Sequence, residues 1–235
     1  MSNQISIYQI VAGADILSQI VMLVLLILSI VSLSIIIEKY IQYKNISKKN
    51  YIFEEALISS NSIYDLGNRG KKYLNNPVFE MVHAAIYDMD RRETRVDNRH
   101  EGRHEKMTDY VKHSTKERVE QSMVVIKNKY FERLNSKLSL VGTIGSNSPF
   151  IGLLGMVLSV MQAFQKMSTV KHATISMMSE NLTEAFFVTV LGLFVAILSM
   201  VMYEALVTKS EKLSGEIDNY MIEISKMAAQ EIEDR

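Results

Sequence analysis

The sequence predicts an all-α integral membrane protein with three transmembrane helices and long cytoplasmic helical extensions. Three observations support this fold class: three long runs without a charged residue, apolar residues at helical spacing outside those runs, and only 10 Gly and 2 Pro among 235 residues. Turn-rich all-β proteins need more Gly and Pro than this. The chain also lacks Cys, which excludes disulfide scaffolds, Cys-based zinc or iron–sulfur sites and thiol nucleophiles.

The charge balance argues against binding to nucleic acid. Lys and Arg number 26, as do Asp and Glu, so the net charge is zero. A nucleic-acid binder neutralises phosphates with an excess of cations on one face. We therefore expect no nucleic-acid partner. The three uncharged runs instead lead us to expect a lipid bilayer as the surroundings, and we expect no cofactor and no enzymatic activity.

Each uncharged run is long enough to cross a membrane as a helix. The runs cover residues 16–37, 138–165 and 185–203, and about 20 helical residues span the hydrocarbon core. The first run is dense in Ile, Leu and Val. We interpret it as a retained span and not a cleaved signal peptide, because no cation precedes it and no small-residue cleavage site follows it.

The cations predict the orientation of the spans. Residues 1–37 carry no Lys or Arg, whereas residues 38–137 carry 20 of the 26. Both ends of this large loop are basic, which places the loop in the cytoplasm. The expected segments are an outer N-terminal segment at 1–15, the first span at 16–37, a cytoplasmic helical domain at 38–136, the second span at 137–165, an outer link at 166–176, the third span at 177–207 and a cytoplasmic C-terminal helix at 208–235.

Outside the spans, apolar residues recur every three or four positions, which predicts amphipathic helices. No helix breaker separates the first of these stripes from the second span, so we expect one uninterrupted helix there. Glycines and a proline predict turns in the loop. The first stripe comprises Val119, Met123, Ile126, Tyr130 and Leu134. The second comprises Leu213, Ile217, Tyr220, Ile224 and the pair Met227 and Ala228, and the turn positions are Gly67, Gly70 and Pro77.

The second span carries a stripe of small residues, which in lipid allows close helix packing. Pro149 lies within it and removes one backbone donor, so we expect a kink or a loosened turn there. The stripe serves packing within one subunit, a subunit interface or a pore lining, and the spacing does not decide among these. Its members are Gly145, Ser148, Gly152, Gly155, Ser159 and Ala163.

The third span has a second stripe with an acid at its outer end. Glu184 lies at the shoulder of this stripe, and an ionisable group in a span usually faces a cavity or a partner. A solvated helix end is the alternative for Glu184, and for Thr189 the alternative is a bond to its own helix. Glu180 and Glu204 are expected at the membrane interfaces. The stripe comprises Ala185, Thr189, Gly192, Ala196 and Ser199.

Residues 100–104 read His-Glu-Gly-Arg-His and match the H-E-x-x-H pattern of zinc proteases. Zinc sites of this kind need an apolar setting and a third ligand. Here the pattern lies in the most polar stretch of the chain, and Gly102 disfavours a helix. We therefore interpret His100 and His104 as part of a solvated segment and expect no metal site.

Two segments carry a resemblance to a known family. TIGSNSPFIGLLGMVLSVMQAF at 143–164, together with LTEAFFVTVLGLFVAILSMVMYEAL at 182–206, resembles the TolQ/ExbB/MotA family of proton-channel subunits, and most of all its TolQ branch. The first span, which ends in IIIEKY, and the large loop after it fit the same architecture.

The resemblance implies a homopentamer in the bacterial inner membrane, whose pore encloses the single spans of a TolR-like partner dimer. That partner carries the Asp that takes up the proton, and a TolA-like protein is a further partner. The implied role is the Tol–Pal system, which maintains the outer membrane during division. Glu184 matches the family's third-span acid and Thr189 its pore threonine, while Pro149, Gly152, Gly155 and Gly192 match packing positions.

The chain departs from the family pattern at three places. Met156 stands where a pore-lining Thr is usual, Gln162 replaces a common His, and Glu180 with Asn181 replaces a Pro-Gly pair. The polar ring expected from the second span is therefore missing. The alternatives are an ExbB-type subunit that energises outer-membrane uptake through a TonB-like protein, and a non-conducting membrane scaffold. A flagellar stator-type subunit would normally have four spans.

Overall fold

A computed structural model of the chain describes residues 14–70, 76–97, 109–169 and 175–234. Most of these residues are helical and none lies in a strand, which confirms the predicted all-α class. The helices are α1 (Ile16–Ile58), α2 (Ile63–Gly70), α3 (Pro77–Asp97), α4 (Asp109–Asn135), α5 (Leu138–Thr169) and α6 (Ile175–Asp234).

The chain divides into two compact units. The span unit comprises residues 1–39 and 137–207, and the helical unit comprises 40–136 and 208–235. The long helices α1 and α6 each contribute residues to both units. The C-terminal segment thus belongs to the same unit as the large loop.

The span unit contains the three predicted spans. In the described part of the chain, α1, α5 and α6 are the helices long and apolar enough to cross a membrane. Only 28–33% of the most apolar stretch of each helix is buried. Large apolar side chains therefore face outward on all three helices, as in a protein whose surroundings are lipid or neighbouring subunits.

Two glycines bring α5 and α6 into backbone contact. A Cβ on Gly192 would lie 2.8 Å from the carbonyl oxygen of Ser148 and 2.9 Å from the Cα of Gly152. A Cβ on Gly152 would lie 3.1 Å from the Cα of Gly192. No side chain fits between the helices at this crossing, which is the packing that small residues permit in membranes.

The helical unit has its own apolar core, in which Phe53 packs edge-to-face against Phe79 and Tyr220 with ring centroids 5.1 Å apart. Both predicted amphipathic stripes contribute to the burial of apolar surface in this unit, because their spacing places these residues on one face of each helix. Fully buried members of the two stripes are Val119, Met123, Ile217, Ile224 and Ala228.

The prediction of one uninterrupted helix into the second span is wrong. A turn at residues 136–137 separates α4 from α5. The Ser136 hydroxyl donates to the carbonyl of Arg133 at 2.9 Å, and such local bonds compete with helix continuation. The Asn135 side chain also accepts hydrogen bonds from the Tyr43 and Ser210 hydroxyls, each at 2.9 Å, and these bonds anchor the end of α4.

The turn expected at Gly67 is also wrong, because Gly67 lies inside α2. A Cβ at this position would lie 2.5 Å from Cδ1 of Ile86. The glycine serves close packing between helices here. By contrast, Pro77 begins α3, the helix position at which the missing N–H of proline costs nothing.

Candidate functional site

Glu184 is buried at one end of the span unit, with 8% of its surface exposed. Its Oε1 accepts a hydrogen bond from the backbone N–H of Asp15 at 3.1 Å. Asp15 immediately precedes α1, so the carboxylate binds the N-terminus of that helix. A negative charge is favourable there, because unpaired N–H groups and the helix dipole both point toward it.

Asp15 also connects this site to the second span. Its Oδ1 lies 2.5 Å from Nζ of Lys166 on α5. The Lys166 side chain is 56% exposed, so the pair is an interfacial contact of modest strength. Three helices thus meet through polar groups at this end: α1 through Asp15, α5 through Lys166 and α6 through Glu184.

Thr189 is half-buried on α6 and faces the backbone of α5. Its hydroxyl lies 3.4 Å from the carbonyl oxygen of Gly152 and 3.4 Å from that of Ala185 in its own helix. Both distances are at the long limit for a hydroxyl donor. The Thr189 hydroxyl therefore lies between the two helices, near one carbonyl oxygen of each.

The small residues singled out from the sequence pack between helices of the same chain. Gly145 approaches the backbone of Met200, and Gly155 contacts Val188 and Val21. Pro149 is half-buried, and α5 runs through it without interruption. Buried members of the two stripes are Gly145, Ser148, Gly152, Gly155, Ser159, Ala163, Ala185, Gly192, Ala196 and Ser199.

Of the positions that depart from the family pattern, one is apolar and one is polar in the part of the chain that the structure describes. Met156 is half-buried and brings no hydrogen-bonding group. The Oε1 of Gln162 is buried and has no hydrogen-bond partner among the described residues. The Glu180 side chain, His100 and His104 lie outside the described residues, and no group of metal ligands occurs among the residues that are described.

Sequence reasoning missed two serine pairs in the span unit. Ser18 and Ser159 bond through their hydroxyls at 2.6 Å, and Ser32 bonds to Ser199 at 2.8 Å. The first span does contain a pattern from which these pairs could have been predicted. Ser18 and Ser32 are four helical turns apart, on the face that also buries Leu25. Polar residues recurring on one face of an otherwise apolar span indicate a helix contact.

The comparisons with known proteins agree with this architecture. The MotA/TolQ/ExbB proton channel family matches residues 92–219. The chain is 28% identical to the Tol-Pal system protein TolQ of Pseudomonas aeruginosa over 217 residues, covering 89% of this chain and 87% of that protein. It is 24% identical to the biopolymer transport protein ExbB of Pseudomonas putida, covering 98% of this chain and 63% of that protein.

A shorter match has higher identity. The chain is 44% identical over 80 residues to a putative biopolymer transport protein, ExbB-like 2, of Helicobacter pylori, covering 34% of this chain and 53% of that protein. These relatives are channel or transport-energising subunits, which is not an enzyme class. The chain therefore belongs to the MotA/TolQ/ExbB proton channel family and is an integral inner-membrane subunit of the TolQ/ExbB type.

Proposed function

We propose that this chain is the proton-channel subunit of a Tol–Pal motor, which uses the proton motive force to maintain the outer membrane and its constriction at division. The observation that carries the proposal is Glu184, a carboxylate 8% exposed at the end of a membrane span. Burying an ionisable group in a span is costly, so such a group usually has a functional role.

The identity over most of the chain supports a Tol–Pal role over uptake. The chain is 28% identical to the Pseudomonas aeruginosa TolQ and 24% identical to the Pseudomonas putida ExbB.

The proposed assembly is a homopentamer around a TolR-like dimer of single-span subunits, with a TolA-like protein as a further partner. The apolar faces of the spans support an assembly, because only about a third of each apolar stretch is buried in one chain. The partner's span carries the Asp that takes up the proton. Glu184 and Thr189 line the path along which that proton is exchanged.

The proposed topology places the N-terminus and the link after α5 in the periplasm. The large loop and the C-terminus then lie in the cytoplasm, in agreement with the 20 cations between residues 38 and 137. In this orientation Glu184 and Asp15 lie at the periplasmic end of the spans, where protons enter under the proton motive force.

Deletion of the gene tests the biological role. We expect sensitivity to detergents, leakage of periplasmic protein and delayed constriction of the outer membrane, all restored by the wild-type gene. The deletion strain should take up chelated iron at the normal rate. Loss of uptake with an intact outer membrane would overturn the Tol–Pal assignment.

An ExbB-type subunit is the second candidate, and the 44% identity to the Helicobacter pylori ExbB-like protein favours it. Purification of the tagged chain from its native membrane separates the two candidates. A single-span TolR-like partner is expected in the purified complex. Recovery of an ExbD-like partner with a TonB-like protein would support the uptake role instead.

A non-conducting scaffold is the remaining alternative. It predicts that the purified complex in liposomes passes protons no faster than liposomes without protein. The channel proposal predicts proton flux that requires both this chain and its single-span partner. Absence of flux from a complex that contains both subunits would favour the scaffold.

A further inference from the structure

The residue before α1 contacts the buried acid of the span unit through its backbone. Asp15 donates its N–H to Oε1 of Glu184 at 3.1 Å, and α1 begins at the next residue. Helix ends fray, so a residue in this position is held less firmly than one inside the helix. The surroundings of the Glu184 carboxylate therefore depend on the contacts that fix Asp15.

The Asp15 side chain is fixed by a contact with α5. Its Oδ1 lies 2.5 Å from Nζ of Lys166. One turn further along α1, Ser18 bonds to Ser159 of α5 at 2.6 Å. Ser159 and Lys166 are seven residues apart, which is about two helical turns, so both project from the same face of α5. Lys166 therefore extends the contact between α1 and α5 to the residue that binds Glu184.

Lys166 also balances charge at this end of the span unit. Asp15 and Glu184 are both acids, and the hydrogen bond between them brings one carboxylate to the backbone of the other residue. Two carboxylates this close repel each other unless a cation lies nearby. Nζ of Lys166 lies against the carboxylate of Asp15. Removal of the lysine increases the repulsion, so the start of α1 is expected to move away from Glu184.

We propose that Lys166 and Asp15 are positioning residues for proton exchange. Their ion pair keeps the Asp15 N–H bonded to Glu184 and so holds the carboxylate in the place from which it exchanges protons. Proton transfer needs hydrogen-bond distances between the two groups, so displacement of the acid slows it. The inference rests on the proposed function, because the pair affects proton flux only where Glu184 is part of the proton path.

A second ion pair on the same helix supplies a matched control. Lys137 pairs with Glu38 of α1 at 2.8 Å and is 55% exposed, compared with 56% for Lys166. Residues 15 and 38 are separated by 23 positions, or about 35 Å along a helix. Exposed ion pairs usually add little to stability. A change at Lys137 thus removes the same charge and the same kind of contact far from Glu184.

Hydrogen exchange of the Asp15 amide tests the positioning without reference to proton flux. The full-length chain is purified with its partner in detergent, and exchange is followed at single-residue resolution by mass spectrometry. Lys166→Gln should speed exchange about fivefold, the upper range for an exposed ion pair, whereas Lys166→Arg and Lys137→Gln should keep the wild-type rate. Unchanged exchange in Lys166→Gln, or equal acceleration in Lys137→Gln, would overturn the inference.

Proton flux through the complex in liposomes tests the consequence for exchange. Lys166→Gln should lower the flux about fivefold, and Lys166→Arg should keep it near wild type. Asp15→Asn retains the N–H but breaks the pair, so a loss of about twofold is expected. Because Asp15→Asn also removes the repulsion, the double variant Asp15→Asn/Lys166→Gln should recover to the level of Asp15→Asn alone. Losses that multiply in the double variant would overturn the inference.

The Glu184→Gln complex in the same liposomes separates failure of this inference from failure of the proposed function. A large loss of flux in Glu184→Gln together with wild-type flux in Lys166→Gln would overturn the positioning role alone. Wild-type flux in Glu184→Gln would overturn the proposed function, and the role of the pair in flux with it. Both subunits are quantified in every sample, so that fluxes are compared between complexes of the same composition.

Discussion

Glu184 combines burial with an unusual partner. Its carboxylate binds the first N–H group at the beginning of α1, so the position of the acid on α6 depends on where α1 begins. Asp15 supplies that N–H and also pairs with Lys166 on α5. Rearrangement of any of the three helices at this end would therefore change the surroundings of Glu184, which is what the proposed role in proton exchange requires.

Single residues were predictable from the sequence where lipid imposes a strong constraint. Glu184 stood out because charge is rare in a span, and Gly152 and Gly192 because small residues recur on one face. The Asp15–Glu184 bond was not predictable, because it joins residues 169 positions apart through a backbone N–H. Because every residue except proline has a backbone N–H, the sequence of side chains does not predict which N–H forms such a bond.

Gly192→Ala should destabilise the span unit. Its Cβ would lie within 3 Å of two backbone atoms on α5, so the helices must separate, at a cost of about 1–3 kcal/mol. Gly215→Ala on the same helix is the control, since nothing lies within 4 Å of its Cβ. It should stabilise the protein by about 0.5–1 kcal/mol through helix propensity.

Thermal unfolding in detergent compares the two glycine variants. A lower melting temperature for Gly192→Ala and an unchanged or higher one for Gly215→Ala is the expected result. Equal melting temperatures would show that the backbone contact between α5 and α6 is not tight.

At the scale of elements, the turn between α4 and α5 depends on one amide. The Asn135 oxygen accepts from Tyr43 on α1 and from Ser210 on α6. Both donors are almost fully buried. The sequence stripes predicted α4 and the C-terminal helix correctly, but not the break, because Asn135 and Ser136 end a helix through partners on other elements.

Asn135→Ala should destabilise the helical unit by about 2–4 kcal/mol, because two buried hydroxyls lose their acceptor. Tyr43→Phe removes one of the two bonds and leaves no unpaired donor, so a loss of about 0.5–1.5 kcal/mol is expected. Chemical denaturation measures both losses. The account of the turn fails when Asn135→Ala costs no more than Tyr43→Phe.

The end of α6 contacts α4 through an exposed charge pair whose contribution to stability depends on pH. Lys116 donates a hydrogen bond to Glu233 at 2.7 Å and, through this bond and its charge, holds the pKa of that carboxyl below its usual value of 4.5. Because the folded-state pKa is lowered, the contribution of the pair to stability is present above pH 4.5 and is lost as the pH falls through the folded pKa.

An NMR titration of the glutamate carboxyls checks this pair. In Lys116→Gln the pKa of Glu233 should rise toward 4.5, whereas Lys226→Gln, which breaks the exposed pair with Glu223 on the same helix, should leave it unchanged. An unshifted Glu233 in Lys116→Gln would refute the assigned cause.

At the scale of the whole molecule, composition alone is misleading, since zero net charge averages a basic loop with acids at the third span. The three spans and the helical class followed from run length and helical spacing. The grouping of the C-terminal helix with the large loop into one unit did not follow, because two amphipathic stripes do not specify which apolar faces meet.

The proposed topology has a direct test, because the chain contains no Cys and single cysteines report their own accessibility. Ser168→Cys, exposed near the end of α5, should react with a membrane-impermeant maleimide in cells with a permeabilised outer membrane. Ser59→Cys, exposed after α1, should react only after the inner membrane is opened. The reverse pattern would invert the topology.

Proton flux through the reconstituted complex measures whether Glu184 is part of the proton path, as we propose. Wild type, Glu184→Gln and the control Glu204→Gln, an exposed acid on the same helix, are compared in liposomes with the single-span partner. We predict a loss of about a hundredfold for Glu184→Gln, as for removal of a positioned proton-transfer group, and flux near wild type for Glu204→Gln. Wild-type flux in an intact Glu184→Gln complex would contradict the account.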